Sequence, residues 1–486
     1  MKKMNLLVMS LVSAAALSFT SCSSNDDLAG NAGQEKVDGF YMTLTVQSPK
    51  SDGTRTIVNK PTVDATAEES DVTSGTIYLV DATGAIVFQK DISETEWKAG
   101  KPTQGNTGST QIKIEVESVV AGATYKVYFL ANATDEKPWK NIFTATDKFA
   151  QPYDTNNKFA MFNQNDNDVN GNGYTVVFTD DNKKETNAAQ IKYNNAVSPI
   201  KIERLTARID EPTSNATEIK AYTKSDATPA EKKAMEDAVN KVESVKMTGY
   251  AISNLANKSY IMQNWTATTL NIPSDITYYQ PTKEFGTATL LENGNYFTTA
   301  TAPNTHKDYV FENNSSTAAT SMYFEYTVKL KDMANADFPE DGTFYRYNNV
   351  IYKSFADIYK AYNDVAGLFG GKTAEDMKKE LKAAKTAKTA DGKSAVEAKL
   401  AEFRQTYKIE VFNCGKTYYK KAIKDQYLTY ENAIQRNSIY RLTVNNIFNV
   451  GAQVPNGTPD KEGLFYLDVT VSVNPWVLNT QNVDFK

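Results

Sequence analysis

The sequence has very little histidine and cysteine: one histidine, His306, and two cysteines, Cys22 and Cys414, among 486 residues. A histidine-based catalytic triad could therefore use only His306, and a zinc site of the usual cysteine and histidine type has too few ligands. The formal net charge is −5, and no basic face suited to nucleic acid is present in the sequence. The sequence therefore disfavours enzymes with a histidine-based triad other than at His306, zinc proteins of the cysteine and histidine type, and nucleic-acid-binding proteins. An enzyme that uses carboxylate side chains is not excluded.

Aromatic and β-branched residues are plentiful. The chain is 41% hydrophobic and 11% aromatic, with 28 Tyr and 22 Phe, and it is long enough for two or three domains with substantial cores. Abundant Tyr, Thr, Val and Asn, interrupted by glycine-containing turns, favour β structure. We therefore expect a mainly β protein.

The first 22 residues have the pattern of a targeting segment. Lys2 and Lys3 precede a short apolar run from Leu6 to Phe19, which ends in small residues and then Cys22. This resembles a bacterial lipoprotein signal peptide, with Cys22 acylated by a lipid such as palmitate after cleavage; an ordinary secretory peptide is the alternative. Residues 23–37 are predicted to be a surface linker, and their Ser/Asp-rich start resembles the surface-export signal of Bacteroidetes lipoproteins.

An N-terminal β-sandwich is predicted over residues 38–199. Its first strand is Phe40–Val46, followed by a polar loop, Ser48–Asn59, that contains Arg55. An exposed arginine in such a loop is a good substrate for an arginine-specific protease, although taken alone an arginine of this kind is more often an ordinary loop residue. Further strands are predicted as a hairpin at 76–81 and 85–90, and then at 111–119 and 124–131, in one antiparallel sandwich.

Asp166, Asp168 and Asn170 match the first half of a calcium-binding loop. The position of the bidentate glutamate is occupied by Val177, which removes the strongest ligand of such a loop. The alternative is a turn rich in Asn and Gly, because these residues favour turns without any metal. Calcium is therefore a possible cofactor, and no other cofactor is expected.

A second β-sandwich is predicted over residues 200–486. It begins with a strand at Ile200–Ile209 and includes a short helix opened by a capping box at Thr228. Three more strands are expected at 245–254, 322–330 and 436–447.

A helical insertion is predicted at about 353–407, because this stretch is rich in Ala and Lys. Asp391-Gly392 should divide it, and a capping box at Ser394 should open a helix that has Val396, Leu400 and Phe403 on one face. The insertion can pack on the sandwich or bind a partner. It is followed by a predicted hairpin, from 408–412 to 417–419, with Cys414 as a structural thiol at its turn.

The C-terminus reads as two extended pieces. Side chains alternate from Leu467 to Val473, as in a half-buried strand. Asn474-Pro475-Trp476 should stop or bend this strand, and a second extended piece should run from Val477 to Phe485. That last piece can pack on its own domain or reach into another molecule.

Taken together, these stretches resemble a Bacteroidetes fimbrillin (type V pilin), specifically the major subunit of the short, or minor, fimbriae. Besides the segment ending at Cys22 and the strand with its arginine loop, an ordered set of motifs carries the resemblance: Glu203-Arg204-Leu205, Gly249-Tyr250-Ala251, 309–313 (YVFEN), 342–347 (GTFYRY), 436–440 (RNSIY) and 474–477 (NPWV). Residues 372–404 match no motif of the family.

The resemblance implies two transthyretin-like β-sandwich domains, with the helical insertion in the second. It also implies an assembly mechanism. An arginine-specific protease would cut between Arg55 and Thr56 and remove the strand and loop at 38–55. The groove so opened would accept a donor strand, at about 474–486, from the next subunit, with Trp476, Val477, Val483 and Phe485 as candidate donor residues.

The resemblance thus implies a non-enzymatic shaft subunit of a fimbrium that supports adhesion at the cell outer membrane. Its expected partners are other copies of itself, accessory tip and anchor proteins, the protease and, before processing, the membrane. The alternatives are a tip adhesin or anchor subunit of the same fimbria or, less in keeping with the residues, a surface lipoprotein that binds or cleaves carbohydrate.

Overall fold

A computed structural model of the chain describes residues 39–47, 63–102, 109–132, 145–146, 158–164, 173–266, 269–279, 298–299, 307–363, 365–425, 433–455 and 465–478. Residues 39–486 form one compact unit. The fold is mainly β, as the sequence predicts.

The strands in chain order are β1 Phe40–Gln47, β2 Val63–Ala65, β3 Gly75–Val80, β4 Ile86–Ile92, β5 Lys101–Pro102, β6 Ser109–Val116, β7 Thr124–Ala131, β8 Ala145–Thr146, β9 Met161–Asn163, β10 Thr175–Val177, β11 Ala189–Gln190, β12 Lys192–Tyr193, β13 Ala196–Val197, β14 Ile200–Arg204, β15 Ala207–Asp210, β16 Thr213–Ser214, β17 Ile219–Lys220, β18 Val242–Ser253, β19 Leu255–Ala256, β20 Ser259–Tyr260, β21 Trp265–Thr266, β22 Thr269–Leu270, β23 Tyr278–Tyr279, β24 Thr298–Thr299, β25 Lys307–Val310, β26 Ser321–Leu330, β27 Phe344–Tyr347, β28 Val350–Tyr352, β29 Glu410–Phe412, β30 Lys416–Ala422, β31 Ser438–Phe448 and β32 Tyr466–Leu478. The α-helices are α1 Ala67–Ser70, α2 Glu94–Ala99, α3 Pro229–Asn240, α4 Phe355–Ala361, α5 Ala374–Lys385 and α6 Val396–Tyr407, and short 3-10 turns occur at Asp180–Lys183, Glu185–Asn187, Met333–Asn335, Leu368–Gly371 and Asn413–Gly415.

The N-terminal part is organised around a twelve-stranded sheet whose central path runs β13-β12-β10-β7-β9-β14-β1-β6-β5. The hairpin β3–β4 is confirmed and joins this sheet through β7. The prediction of an antiparallel sandwich is wrong in one respect, because β1 runs parallel to β11 and β14. Most of the buried apolar side chains of this region share one core, whereas Tyr78, Tyr128 and Phe162 belong to a second.

The predicted strand 200–209 is in fact two strands that belong to different sheets. β14 pairs with β1 and β9 in the first sheet, whereas β15 pairs with β25 and β31 in another. The chain therefore changes sheets at Leu205-Thr206, which a continuous apolar pattern conceals. The division of the chain into domains at 199/200 stays a prediction.

Two sheets share the main core of the C-terminal part. One has the order β2-β32-β31-β15-β25, and the other has the order β24-β18-β26-β30. β26 alternates as predicted: Phe324, Tyr326 and Val328 are buried on one side. The capping box at Thr228 is also confirmed, since its hydroxyl accepts from the Glu231 amide and Pro229 occupies the first turn of α3.

The helical insertion is present and has a core of its own, to which α4, α5 and α6 contribute Ile358, Leu381, Leu400 and Phe403. Asp391-Gly392 separates α5 from α6 as predicted. The capping box at Ser394 is wrong: the residue that precedes α6 is Ala395, without a side-chain cap. Ser394 is instead held in a β-bridge to Lys388, which places it outside the helix start.

The hairpin predicted around Cys414 is wrong. β29 pairs with β27, whereas β30 pairs with β26, so the strands on either side of Cys414 enter different sheets. A β-carbon at Gly415 would clash with the carbonyl oxygen of Val328, so glycine allows the chain to pass close to β26 at this point. Cys414 is a free thiol whose pKa is raised by burial.

The break predicted at Asn474-Pro475-Trp476 is also wrong. β32 runs without interruption to Leu478, and Asn474 and Pro475 pair with Ile439 and Ser438 of β31. Proline has no N–H to donate and is tolerated where one side of a strand is unpaired. The second neighbour of β32 in the described structure, β2, begins its pairing only at Trp476.

Candidate functional site

The first candidate site is the place that β1 occupies in its sheet. One edge of β1 pairs with β6 along the whole strand, from Phe40 opposite Val116 to Gln47 opposite Ser109. The other edge pairs with β11 at Met42 and Thr43 and with β14 at Val46 and Gln47. The strand is therefore interior to the sheet, and removing it would leave two facing edges with unpaired backbone groups.

The side chains of β1 fill the core beneath this place. Phe40, Met42, Leu44 and Val46 are exposed by 8%, 0%, 0% and 2% of their surface. Each such burial stabilises a protein by about 1.5–3 kcal/mol, so the four together contribute roughly 6–12 kcal/mol. Removing β1 would create a groove with an apolar floor four side chains long.

The predicted cleavage site lies just beyond this strand. Arg55 and Thr56 fall between β1, which ends at Gln47, and β2, which begins at Val63, and both lie outside the described residues. Cys22, the calcium candidates Asp166, Asp168 and Asn170, and the tail residues Val483 and Phe485 also lie outside them.

Of the predicted donor residues, the structure describes the backbone of Trp476 and Val477. Both belong to β32, where Trp476, Val477 and Leu478 pair in parallel with Val63, Asp64 and Ala65 of β2. The strand that follows residues 48–62, β2, and the C-terminal strand, β32, are thus neighbours in one sheet. Sequence reasoning missed β2 because three residues carry no detectable alternation.

The segment after β2 is anchored by a buried glutamate. Both carboxylate oxygens of Glu69, in α1, lie 2.9 Å from Nη1 of Arg208, and Glu69 also accepts from Tyr309 Oη at 2.8 Å and from Lys307 Nζ at 3.2 Å. The amide of Thr66 donates to the same carboxylate at 2.7 Å. We call Glu69, Arg208, Lys307 and Tyr309 the Glu69 cluster.

This environment lowers the pKa of Glu69 to about 2. Burial by itself would raise it, but the Thr66 amide, the charge of Arg208 and the contacts of Tyr309 and Lys307 outweigh that effect. The carboxylate therefore stays ionised and paired at neutral pH.

Arg204 extends the attachment. Its guanidinium is fully buried and donates to the main-chain oxygen of Glu69, to Ser70 Oγ at 3.1 Å and to Asn437 Oδ1 at 2.9 Å. Because Arg204 ends β14 and Asn437 precedes β31, α1 is tied to both the first sheet and the C-terminal part. Burial lowers the pKa of Arg204 to about 9, so the group remains charged at neutral pH.

Three of the motifs quoted above meet in these buried polar contacts. Arg204 comes from 203–205, Tyr309 and Glu312 come from 309–313, and Arg436 and Asn437 come from 436–440. Arg436 donates to Glu312 at 2.9 Å and is itself fully buried. These residues of the three motifs thus take part in packing and charge pairing inside the chain.

Within the part of the chain that the structure describes, no group of His, Cys, Asp and Glu side chains is arranged to hold a metal. No described helix is long and apolar enough to cross a membrane.

Comparison with known proteins identifies one matching family model: residues 407–482 match the C-terminal region of fimbrillin, major fimbrial subunit protein type IV. No curated protein matches the chain.

Several solved structures are also similar. A fimbrilin of Porphyromonas gingivalis is 16% identical, with 91% of this chain and 99% of that chain covered and a TM-score of 0.44. A tip fimbrial protein of the same organism is 11% identical over 90% of this chain and 99% of that chain, with a TM-score of 0.29. The fimbrial anchor protein of that organism is 12% identical, with 60% and 77% covered and a TM-score of 0.22.

All three TM-scores lie below 0.5. The resemblance to fimbrillins is confirmed by the match over residues 407–482. That range contains β29–β32 and therefore most of the sheet strands around the C-terminus.

Proposed function

We propose that this fimbrillin-like chain is a structural shaft subunit of a cell-surface fimbria, assembled when β1 is removed by proteolysis and replaced by the C-terminal segment of another copy. The observation that carries the proposal is the position of β1. It is an interior strand with four buried apolar side chains, yet it is the first strand of the described chain and is joined to the strands that follow by residues 48–62.

Cleavage after Arg55 would separate β1 from the remainder without disturbing α1. The new N-terminus, Thr56, would stand seven residues before β2. Beyond β2, the Glu69 cluster and Arg204 hold residues 66–70 to strands β14, β15 and β25. The cut therefore leaves a subunit that lacks one strand and is otherwise held together.

The empty place would then bind a strand from another molecule. Backbone pairing to β6 and β14 would supply affinity, and apolar side chains at alternate positions would fill the floor. Beyond Leu478, the tail carries Val483 and Phe485 at this spacing. Because such a contact joins different surfaces of two copies, it repeats head to tail as a filament.

The pairing of β32 with β2 sharpens the donor proposal. Trp476 and Val477 are paired within their own subunit, so they serve as donor residues only if they leave β2. Residues 479–486 can serve as donor without that change. Truncation after Leu478 distinguishes the two, because it removes the tail and leaves the β2-paired residues in place.

We extend the proposal to the export, the location and the partners of the chain. The chain is exported as a lipoprotein acylated at Cys22, reaches the outer membrane surface and becomes part of a fimbrium that supports adhesion. Its partners are other copies, an arginine-specific protease, and tip and anchor proteins, and its role is structural rather than enzymatic.

The proposal is tested by N-terminal sequencing of fibres sheared from cells that express the native chain or the Arg55→Ala variant. We expect native fibre subunits to begin at Thr56 and the variant to remain an uncut monomer. Lys60→Ala is the matched control, since it removes a cation from the same interstrand segment and should leave processing unchanged.

Two results would contradict the proposal. Fibre subunits that begin at Cys22 would assign the chain to an anchor role, and normal polymerisation of Arg55→Ala would show that strand removal is not the trigger.

A further inference from the structure

A cleft of about 360 Å³ lies between the end of α3, the end of β26 and the loop that joins β28 to α4. Its lining includes Asn240 and Lys241, then Lys331 and Asp332, and then Tyr352, Lys353 and Asp357. The volume is within the range of pockets that hold small molecules. None of its lining residues belongs to β1, the Glu69 cluster or the tail.

Two lysines cross this cleft. Lys241 Nζ donates to the main-chain oxygen of Ile351 at 2.6 Å and lies 5.3 Å from the centre of the Tyr352 ring. Lys353 Nζ donates to the main-chain oxygen of Asp332 at 3.0 Å. Each ammonium is thus fixed by a neutral carbonyl from the opposite wall.

These ammonium groups lack a countercharge in contact. Among the described residues, neither Lys241, Lys353 nor Lys331 forms an ion pair with a carboxylate, although lysines elsewhere on the surface do. Desolvation is the largest influence on the pKa of Lys241 and lowers it; the charges of Asp237 and Asp357 oppose this shift, and the charge of Lys353 adds to it. An anion between the two lysines would offset both the desolvation and the repulsion between the ammonium groups.

The other lining groups restrict which anion fits. Asp332 and Asp357 add two negative charges beside three positive ones, which favours a ligand with a single charge over a polyanion. The same carboxylates and the amide of Asn240 can accept hydrogen bonds from hydroxyl groups. A monocarboxylate rich in hydroxyl groups satisfies both kinds of partner.

We propose that this cleft, the Lys241–Lys353 cleft, binds an acidic monosaccharide such as a uronic acid, with the sugar carboxylate held between Lys241 and Lys353. The hydroxyl groups of the sugar face Asp332, Asp357 and Asn240. This inference does not depend on the assembly mechanism, because the site lies within one subunit.

Calorimetric titration of the uncut monomer with glucuronate, glucose and inorganic sulfate tests the inference. We expect glucuronate to bind and neither of the other two to do so, since glucose lacks the charge and sulfate lacks the hydroxyl groups. Lys241→Gln and Lys353→Gln should each weaken glucuronate binding by about tenfold, the value of one charge-assisted hydrogen bond.

Two further variants separate binding from folding. Lys246→Gln, an exposed lysine of β18 outside the cleft, should leave the affinity unchanged. Lys241→Arg, which keeps the positive charge at this position, should bind glucuronate more tightly than Lys241→Gln, and misfolding would not produce that difference. Absence of glucuronate binding, equal loss in Lys246→Gln, or equal binding of sulfate would each overturn the proposal.

Discussion

The strands nearest the two ends of the described chain, β1 and β32, are held in contrasting ways. β1 has neighbours on both edges and buries four apolar side chains, so it is fully built into its sheet. β32 pairs with β31 along its length but meets a second neighbour, β2, only at its last three residues. A strand can therefore be fully built into a sheet and still be joined to the rest of the chain by a single connecting segment, here residues 48–62.

The helix α1, which follows β1 and β2 in the chain, also affects what a cut after Arg55 would do. α1 lies between the cleavage loop and β3, and its Glu69 is bound to side chains from β15 and β25. If the chain is cut after Arg55, we expect this attachment to confine the effect to β1. We therefore expect the largest stability effects at α1, smaller ones in β1 and the smallest in the C-terminal tail.

The largest expected effect is that of Glu69→Ala on the uncut monomer. It removes a carboxylate partner from the buried guanidinium of Arg208 and should cost about 3–5 kcal/mol in the free energy of unfolding. Urea denaturation measures this cost. Glu243→Ala, which breaks an exposed ion pair with Lys329, is the control and should cost at most about 1 kcal/mol. Equal losses in both variants would show that the Glu69 cluster does not hold α1.

Next comes a direct comparison of the two strands. Leu44→Ala, at a fully buried position of β1, should lower the free energy of unfolding by about 3 kcal/mol. Val469→Ala, at a half-buried position of β32, should lower it by about 1 kcal/mol. The same denaturation experiment compares them, and a larger loss for Val469→Ala would reverse the contrast between the strands.

The pH dependence of stability isolates the contribution of Glu69. Its pKa falls from 4.5 to about 2 on folding. The stabilisation is therefore complete above pH 4.5 and is lost as pH falls toward 2, by about 1–3 kcal/mol after allowance for solvent screening. The urea midpoint should drop over this range in the native chain and should drop less in Glu69→Gln. Parallel curves for the two proteins would contradict the assignment.

The smallest effect on the monomer is expected for Val483→Ala combined with Phe485→Ala, at most about 0.5 kcal/mol. The cut double variant should nevertheless fail to form fibres, because the donor strand has lost its apolar side chains. Sedimentation of assembled material measures this. The matched control, Thr480→Ala with Asn482→Ala, changes alternate positions of the same tail and should assemble. Normal assembly of the Val483/Phe485 variant would exclude this tail as the donor.

Local patterns in the sequence predicted many strands correctly but not their neighbours. The alternation of β1 and β26 and the turn of the β3–β4 hairpin were visible because they depend on adjacent residues. The change of sheet at Leu205-Thr206 and the separation of β29 from β30 depend on partners far along the chain, such as Tyr440 for Ile209 and Phe344 for Phe412. Pro475 wrongly indicated a break in the strand. A proline is tolerated within a strand where one edge has no partner, and β2 begins to pair with β32 only at Trp476.

The candidate site, like the fold, was predictable from the sequence only where it depends on residues that are close along the chain. The apolar face of β1 and the presence of an arginine in the following loop could be read directly from the sequence. The Glu69 cluster could not, because Glu69, Arg208 and Tyr309 are separated by long stretches of chain. The motifs around Arg204, Tyr309 and Arg436 signalled it only as a resemblance, and burial supplied the reason.

The central claim is that the place of β1 can be refilled by the C-terminal segment of another copy. The most direct measurement is the binding of a fluorescent peptide of residues 474–486 to monomer cut after Arg55 and to uncut monomer. The account predicts one bound peptide per cut subunit, none on the uncut chain, and loss of binding for a peptide with Val483→Asp and Phe485→Asp. Equal binding to both forms of the protein, or no binding to the cut form, would contradict it.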